Sequence, residues 1–292
     1  MFRLLHASIV GTIRRLPLSP AQFVFRAYHK ALRTLGSEYL ATTYFGARIY
    51  CKPTDLIQRM ILYFGVWEPD VSRTIQKNLA PGDVFVDVGA NIGYNTLLAS
   101  TCVGPTGRVV SIEAVPRTFS LLQRNLSINT SSANVRAVNA AVSDQPGTLD
   151  LYEVNAANIG VATTLASRGG TLMASVSALP LDHILTPDEL SRVRLIKIDV
   201  EGGEPPILRR LLDQLSTYPA TMDIVVEATP EDDPDAWRDV FDRLRGAGFT
   251  AWAIENEYEF DWYLRWRSPS TLVRVEDMST RQQDFLFTRR QP

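Results

Sequence analysis

The pattern of apolar and polar positions divides the chain into an irregular leader and a long run of alternating strands and helices. Val84, Phe85, Val86 and Val88 make a short, β-branched apolar run, the pattern of a strand buried on both faces. Gly89-Ala-Asn-Ile-Gly93 then turns the chain into a helix that opens at Tyr94. The alternation continues downstream. Strands are expected at 108–113, 135–142, 195–200 and 223–227, with crossover helices at 116–129, 206–215 and 235–247. Closing strands are expected at 249–254 and 285–288. An extra strand at 148–154 leads into a polar, Gly-rich loop at 155–172, and a short helix follows at 181–185. Upstream, helices are expected at 21–35, closed by Gly36, at 55–63, and at 70–79 with Asp70 as N-cap. A short strand or hairpin is expected at 44–52. Strand–helix alternation at this spacing predicts an α/β fold, a parallel sheet with helices on both faces.

Composition narrows this picture only at the N-terminus. The 292 residues are 45% apolar and 21% charged with a net charge of −2, which gives no global attraction to nucleic acid. Cys51 and Cys102 fit no metal spacing, which points to a reducing, cytoplasmic setting. No apolar run approaches the ~20 residues of a spanning helix. From Met1 to Ser37 there is no acidic residue, while Arg3, Arg14, Arg15, Arg26, Lys30 and Arg33 are basic. His6, Ser8 and the Arg14-Arg15 pair argue against a signal peptide. Residues 1–48 are therefore expected as a basic helical arm and 49–292 as the catalytic domain. The arm fits packing on the body or on a second subunit of a homo-oligomer. It also fits peripheral contact with an anionic membrane surface.

The glycine turn carries the first chemistry. A dinucleotide fingerprint needs Gly-x-Gly-x-x-Gly, but Asn91 holds the second glycine position, Tyr94-Asn95 replaces the rest, and no P-loop occurs. Asp87 places a carboxylate at the cleft mouth, poor for a pyrophosphate and good for a ligand with an amino group and a sulfonium. Glu113, ending the second strand, can accept from both ribose hydroxyls. Alone, Asp87 also fits a loop brace and Glu113 an exposed strand end; together with the turn between them they favour S-adenosylmethionine.

The runs VFVDVGANIGYNTLLAS, GRVVSIEAVPRTFSLLQRNLSIN, VNAAVSD, LPLDHIL and LIKIDVEGGEPPILR resemble the FkbM-type methyltransferases in the same order, across roughly 67–227. The resemblance implies a Rossmann-like class I methyltransferase fold. Its mostly parallel sheet has seven strands, the last antiparallel. It further implies O-methylation of a hydroxyl on a sugar, glycolipid or secondary metabolite. By position, Asp87, Gly89, Asn91, Gly93, Asn95, Glu113, Ala114 and Asp199 would line the cofactor site. Ala141, within 140–144, would flank the adenine. His183 departs from the family pattern, and the arm and the segment beyond Glu227 match less well.

A hydroxyl is a weak nucleophile, so a general base or metal would help it attack. Asp199 and Glu201 share one side by period two if the fourth strand persists that far, and Glu227 ends the next strand. The three carboxylates are expected as a base pocket or as oxygen ligands for a divalent metal. Asp199 is then the base or metal ligand, and Glu201 and Glu227 support it. Asp199 and Glu201 also fit a cap on the following helix that braces the Gly202-Gly203 turn. Lys197 is expected to pair with a carboxylate, His183 to be structural, and His6 and His29 to lie on the surface. Trp67-Glu68 fits a flap over the cleft or a packed tryptophan. Between the closing strands, 255–283 is long for a connection. Its Tyr258, Phe260, Trp262, Tyr263 and Trp266, interleaved with acids, fit a substrate lid that stacks on sugar rings, or a locally packed cluster. The acidity disfavours RNA. The partner is thus a small-molecule or glycan acceptor. Alternatives are an RNA or protein methyltransferase, which would more naturally carry an Asn/Asp-Pro-Pro-Tyr/Phe motif absent here, or a non-catalytic cofactor-binding assembly module.

Overall fold

The apolar runs of the sequence become the central strands of one sheet. In this computed structural model the described residues are 2–13, 15–153, 162–163, 170–265, 270–278 and 281–291. The chain packs as two units, Met1–Pro69 with Glu257–Pro269, and Asp70–Asn256 with Ser270–Pro292.

The first unit opens with helices α1 (Phe2–Ile13) and α2 (Leu18–Leu35), a hairpin of β1 (Tyr39–Thr42) and β2 (Arg48–Cys51), and α3 (Leu56–Phe64). Gly36, at φ 60°, closes α2 in the left-handed conformation, and the Asp55 side chain caps α3 by accepting from Gln58 N. Aromatic rings hold these helices together: Phe25 meets Tyr63 edge-on at 4.9 Å. His6 is half-buried, not a surface residue. Its Nδ1 pairs with Tyr28 Oη and its Nε2 with Leu62 O, both at 2.8 Å. His29 is half-buried too, 3.2 Å from Tyr63 Oη.

The second unit begins with α4 (Pro69–Asn78), whose N1 residue is Pro69, so Asp70 lies inside the first turn and not at the cap. Then follow β3 (Val84–Val88), α5 (Tyr94–Val103), β4 (Arg108–Ile112), α6 (Pro116–Ser127), β5 (Val135–Val138), β6 (Ala141–Val142), β7 (Gly147–Glu153), β8 (Ala162–Thr163) and β9 (Thr171–Leu179). After them come α7 (Leu181–Ile184), α8 (Pro187–Arg192), β10 (Val193–Ile198), α9 (Glu204–Asp213), β11 (Asp223–Ala228), α10 (Pro234–Gly246) and β12 (Thr250–Ile254). Helix α11 (Phe260–Arg265) belongs to the first unit. Strands β13 (Val273–Val275) and β14 (Gln283–Thr288) complete the second.

The main sheet runs β13-β12-β14-β11-β10-β3-β4-β5. Strands β5, β4, β3, β10 and β11 are mutually parallel, and β14 lies antiparallel between β11 and β12. The sheet is mostly parallel with its last strand antiparallel, as expected, but it has eight strands and not seven, β13 being added at one edge. Val84, Val86 and Val88 pack with α7, α9 and α10 residues such as Leu208 and Trp237 in one core. The intervening Phe85 and Asp87 face the other side, where Thr96 of α5 reaches Asp87.

Two local expectations change. Residues 135–142 are not one strand. The chain leaves the sheet after Val138, and β6 joins a second sheet ordered β6-β9-β7-β8. Asn139 marks the exit, its side-chain amide donating to Glu113 O and Ala114 O. The polar stretch at 155–172 ends in β9, which pairs antiparallel with β7. The rest of that loop, apart from 162–163 and 170, lies outside the described residues.

Candidate cofactor and acceptor site

The carboxyl ends of β3, β4, β10 and β11 meet along one rim of the sheet, and the sequence-predicted residues gather there. Gly89, Asn91 and Gly93 all have positive φ, of 79°, 50° and 91°. Gly89 is required by more than its backbone angle. A Cβ there would lie 1.8 Å from Asp199 O, because β3 and β10 approach closely as they leave the sheet. Gly89 N and Ala90 N both donate to Ile112 O, tying the turn to β4. Asn91 Oδ1 accepts from Ile92 N, a local bond that holds the left-handed turn.

Glu113 sits just beyond β4 and is buried. Its Oε2 accepts from Asn91 N at 2.8 Å and its Oε1 from Val115 N at 2.9 Å. Burial pushes this carboxyl up to about 7 against those two backbone donors, with Asp87 and Asp199 adding repulsion. Ala114 beside it is half-exposed, and Ala141 is buried in β6. Asn95, in the first turn of α5, is buried, and its Oδ1 has no hydrogen-bond partner among the described residues.

Asp87 lies within β3 and not at an open cleft mouth. It is fully buried, with Oδ2 accepting from the Thr96 hydroxyl at 2.6 Å and Oδ1 unpartnered among the described residues. Burial raises its pKa, and Lys197, its ladder partner on β10, opposes that rise. Lys197 is itself buried, and its Nζ donates to Asp199 Oδ2 at 2.8 Å.

Strand β10 ends at Ile198, so Asp199 and Glu201 do not share a side through strand periodicity. Asp199 N still bonds Val88 O at 3.1 Å, but the chain then turns sharply, with Glu201 in the left-handed region at φ 58°. The turn nevertheless brings Asp199, Glu201 and Glu227 together, with one carboxylate oxygen of each within 4.8 Å of the others. Gln282 Nε2 donates to Glu227 Oε1 at 2.7 Å.

Three residues of this rim had no role in the sequence reading. Glu204 opens α9 and is fully buried. Its carboxylate accepts from Val200 N and Gly202 N and braces the turn that carries Glu201. Burial pushes it up to about 7 despite those bonds. Thr163 of β8 donates from Oγ1 to Glu201 O at 2.7 Å. Asp284 is the ladder partner of Glu227 on β14 and accepts from Asn256 Nδ2 at 2.7 Å. Burial, with Asp199 nearby, lifts it to about 6. The sequence held one usable signal: Glu204 directly follows the Gly202-Gly203 pair and precedes Pro205-Pro206, a helix start.

His183 is half-exposed at the start of α7, where Asp182 forms a two-point ion pair with Arg210 of α9. The aromatics of 255–283 that are described pack within the first unit. Phe260 lies 4.4 Å from Phe25, Tyr258 stacks on Trp67 at 5.3 Å, and Tyr263 is fully buried with its hydroxyl accepting from Glu68 N. Trp67 is thus a packed tryptophan. Trp266 lies outside the described residues.

The strand order and the glycine turn at its first strand define a Rossmann-like methyltransferase fold. The family model of the methyltransferase FkbM domain matches residues 87–251, more than half of the chain, and the chain belongs to that family. Methyltransferase sdnD of Sordaria araneosa is 29% identical over 160 residues, 45% of this chain and 61% of that protein. Hexuronic acid methyltransferase AglP of Haloferax volcanii is 25% identical over 150 residues, 51% of this chain and 59% of that protein. The 31-O-demethyl-FK506 methyltransferase FkbM of Streptomyces tacrolimicus is 29% identical over 206 residues, 61% of this chain and 76% of that protein. The chain thus spans about three fifths of the length of the first two relatives. Among solved structures, a SAM-dependent O-methyltransferase from Thermotoga maritima is 15% identical with a TM-score of 0.44, over 86% of this chain and 77% of that one.

Proposed function

We propose that the protein is an S-adenosylmethionine-dependent O-methyltransferase acting on a hydroxyl of a sugar, glycolipid or other small metabolite. The observation that carries this reading is the adjacency of two things on one rim: a glycine turn flanked by Glu113 and Asn95, and a carboxylate trio at the neighbouring strand ends. The residues present fit the cofactor. Asn95 Oδ1 is a buried acceptor awaiting a donor, as a ligand ammonium supplies, and the Glu113 oxygens retain lone pairs for ribose hydroxyls. When bound, the cofactor supplies an electrophilic methyl group on a sulfonium. Asp87, Gly89, Asn91, Gly93, Asn95, Glu113, Ala114, Ala141 and Asp199 are the residues assigned to hold it.

Asp199 is assigned as the base. Its carboxylate would take the proton of the acceptor hydroxyl, raising the nucleophilicity of that oxygen toward the methyl group the bound cofactor would supply. Lys197 holds the Asp199 carboxylate in place. Glu201 and Glu227 would orient the acceptor hydroxyl. The same three carboxylates also suit a hard divalent cation, which would lower the acceptor's proton affinity as a Lewis acid. The names of two relatives support the acceptor class: one is a hexuronic acid methyltransferase and another acts on 31-O-demethyl-FK506. We also propose 1–48 as an accessory arm and 49–292 as the catalytic domain.

Labelled methyl transfer from S-adenosylmethionine into a cell extract, followed by product identification, tests this reading. A labelled methyl ether supports it, and a labelled amine, RNA or protein overturns it. Calorimetry with S-adenosylmethionine separates the methyltransferase from an empty scaffold: no heat at high micromolar ligand would overturn the enzyme reading, and heat without methyl transfer would favour the cofactor-binding module. Loss of turnover in chelator and its return with a divalent ion would assign the metal; unchanged turnover would remove it.

A further inference from the structure

Helix α2 is two-sided. Its inner side buries Ala21 and Leu32 and sets Phe25 and His29 against Tyr63. Its outer side carries Phe23, 74% exposed, together with exposed Arg26, Lys30 and Arg33. At 3.6 residues per turn the three cations fall within about 80° of Phe23 around the helix. The segment Met1 to Ser37 contains no acid to neutralise them. His29, Lys30, Arg33 and Thr34 line a shallow groove along the same helix. The charge of Arg59 reaches this groove at His29. Burial, then the charges of Arg59 and Arg33, hold His29 down at about 4.

We propose that this face of α2 docks the protein on an anionic lipid surface, with Phe23 in the headgroup–acyl boundary and Arg26, Lys30 and Arg33 against headgroup phosphates. Three cations flanking one exposed aromatic ring on the free side of a helix match an anionic headgroup layer, the cations by charge and the ring by its preference for the interface. Among the described residues no helix is long and apolar enough to cross a membrane. A second copy of the chain is a poorer occupant, because a two-fold contact would set this basic face against itself. Neutral surfaces offer nothing to the three cations, whereas each Lys or Arg gains near anionic lipid. The vesicle assay reads binding alone, so its failure and the failure of the proposed methyl transfer are distinguishable.

The test uses the full chain in co-sedimentation with phosphatidylcholine vesicles, with and without phosphatidylglycerol. The wild-type protein should pellet with the anionic vesicles, stay in solution with the neutral ones, and be released by high salt. Phe23→Ser and the double variant Lys30→Glu with Arg33→Glu should each weaken partition by about tenfold or more. Their melting temperatures should be unchanged, since the altered side chains are exposed. Wild-type protein that ignores anionic vesicles, or variants that partition like it, would overturn the proposal. So would equal binding to both vesicle types. A dimer or an RNA complex that Phe23→Ser abolishes, with no vesicle binding, would give the face to a different occupant and overturn it as well.

Discussion

Lys197 Nζ stands 2.8 Å from Asp199 Oδ2, while the ladder partner of Lys197 on the adjacent strand is the buried Asp87. One buried ammonium therefore serves two carboxylates, Asp87 on β3 and Asp199 just beyond the end of β10, and Asp284 feels its charge as well. Replacing Lys197 by Met keeps the bulk and removes the charge. Breaking a buried pair on one side costs about 3–5 kcal/mol. Thermal melting should fall by about 10 °C. The deficit should also grow with pH. Burial already raises Asp87, and without Lys197 its folded pKa rises further. The folded state then holds a proton that the unfolded state releases, so stability declines as pH climbs above the ordinary carboxylate range. A Lys197→Met protein that melts like wild type across pH 5 to 8 would show that this charge is not needed.

Glu113 gives a pH signature of its own. Its folded pKa is about 7 against an ordinary 4.5, so between these values the native state keeps a proton that the unfolded state has lost. Its contribution to stability is greatest at low pH and is lost as pH rises toward 7. Cofactor binding should run the other way, because a charged carboxylate is the stronger acceptor for ribose hydroxyls. Affinity for S-adenosylmethionine should rise between pH 6 and 8, by up to about tenfold. Glu113→Gln should bind weakly and with a flat profile. Calorimetry at several pH values decides it, and a wild-type profile as flat as the variant's would remove Glu113 from the ribose.

The central sheet was legible because its strands are buried on both faces and leave mostly apolar runs, broken only by Asp87 in Val84–Val88 and by Arg194 and Lys197 in Val193–Ile198. Strand β9 was not. Leu172 and Met173 at its start are exposed, so no burial pattern marks it. The carboxylate trio was legible as residue types at strand ends, but for the wrong local reason: a left-handed turn at Glu201 brings them together, and period two does not. Asp284 and Thr163 were invisible because each acquires its place from a distant strand pairing, opposite Glu227 and against Glu201. Glu204 was visible as a helix start, yet its bonds to Val200 and Gly202 depend on a turn that the sequence pattern did not show.

The Glu201 turn is held from two sides, by the Glu204 carboxylate on its amides and by the Thr163 hydroxyl on its carbonyl. A non-glycine residue at φ 58° costs about 1–3 kcal/mol, so the bracing matters. Thr163→Val keeps the shape and removes one donor. Stability should fall by about 1 kcal/mol. If Glu201 orients the acceptor, kcat should drop by about tenfold while cofactor affinity holds, since Thr163 acts on the Glu201 turn and is not among the residues assigned to the cofactor. Thr163→Ser should restore the rate. Equal losses in both variants would mark Thr163 as packing only.

Gly89 offers the sharpest test of the rim's geometry. Its φ of 79° alone would make any side chain unwelcome, but the larger obstacle is Asp199 O, 1.8 Å from where a Cβ would stand. The obstacle is backbone, tied in place by Asp199 N donating to Val88 O, and no rotamer change can clear it. Gly89→Ala must therefore push β3 and β10 apart at their carboxyl ends, and with them the glycine turn and Asp199. The expected cost exceeds about 4 kcal/mol, seen as insoluble protein or a melting point lowered by 10 °C or more. Gly36→Ala is the control for backbone angle. Gly36 has φ 60° but nothing within 4 Å of its Cβ position, so that variant should lose only about 1 kcal/mol. If the two variants melt alike, the strain at Gly89 is conformational only and the close approach of β3 to β10 is not what fixes the cofactor turn beside Asp199.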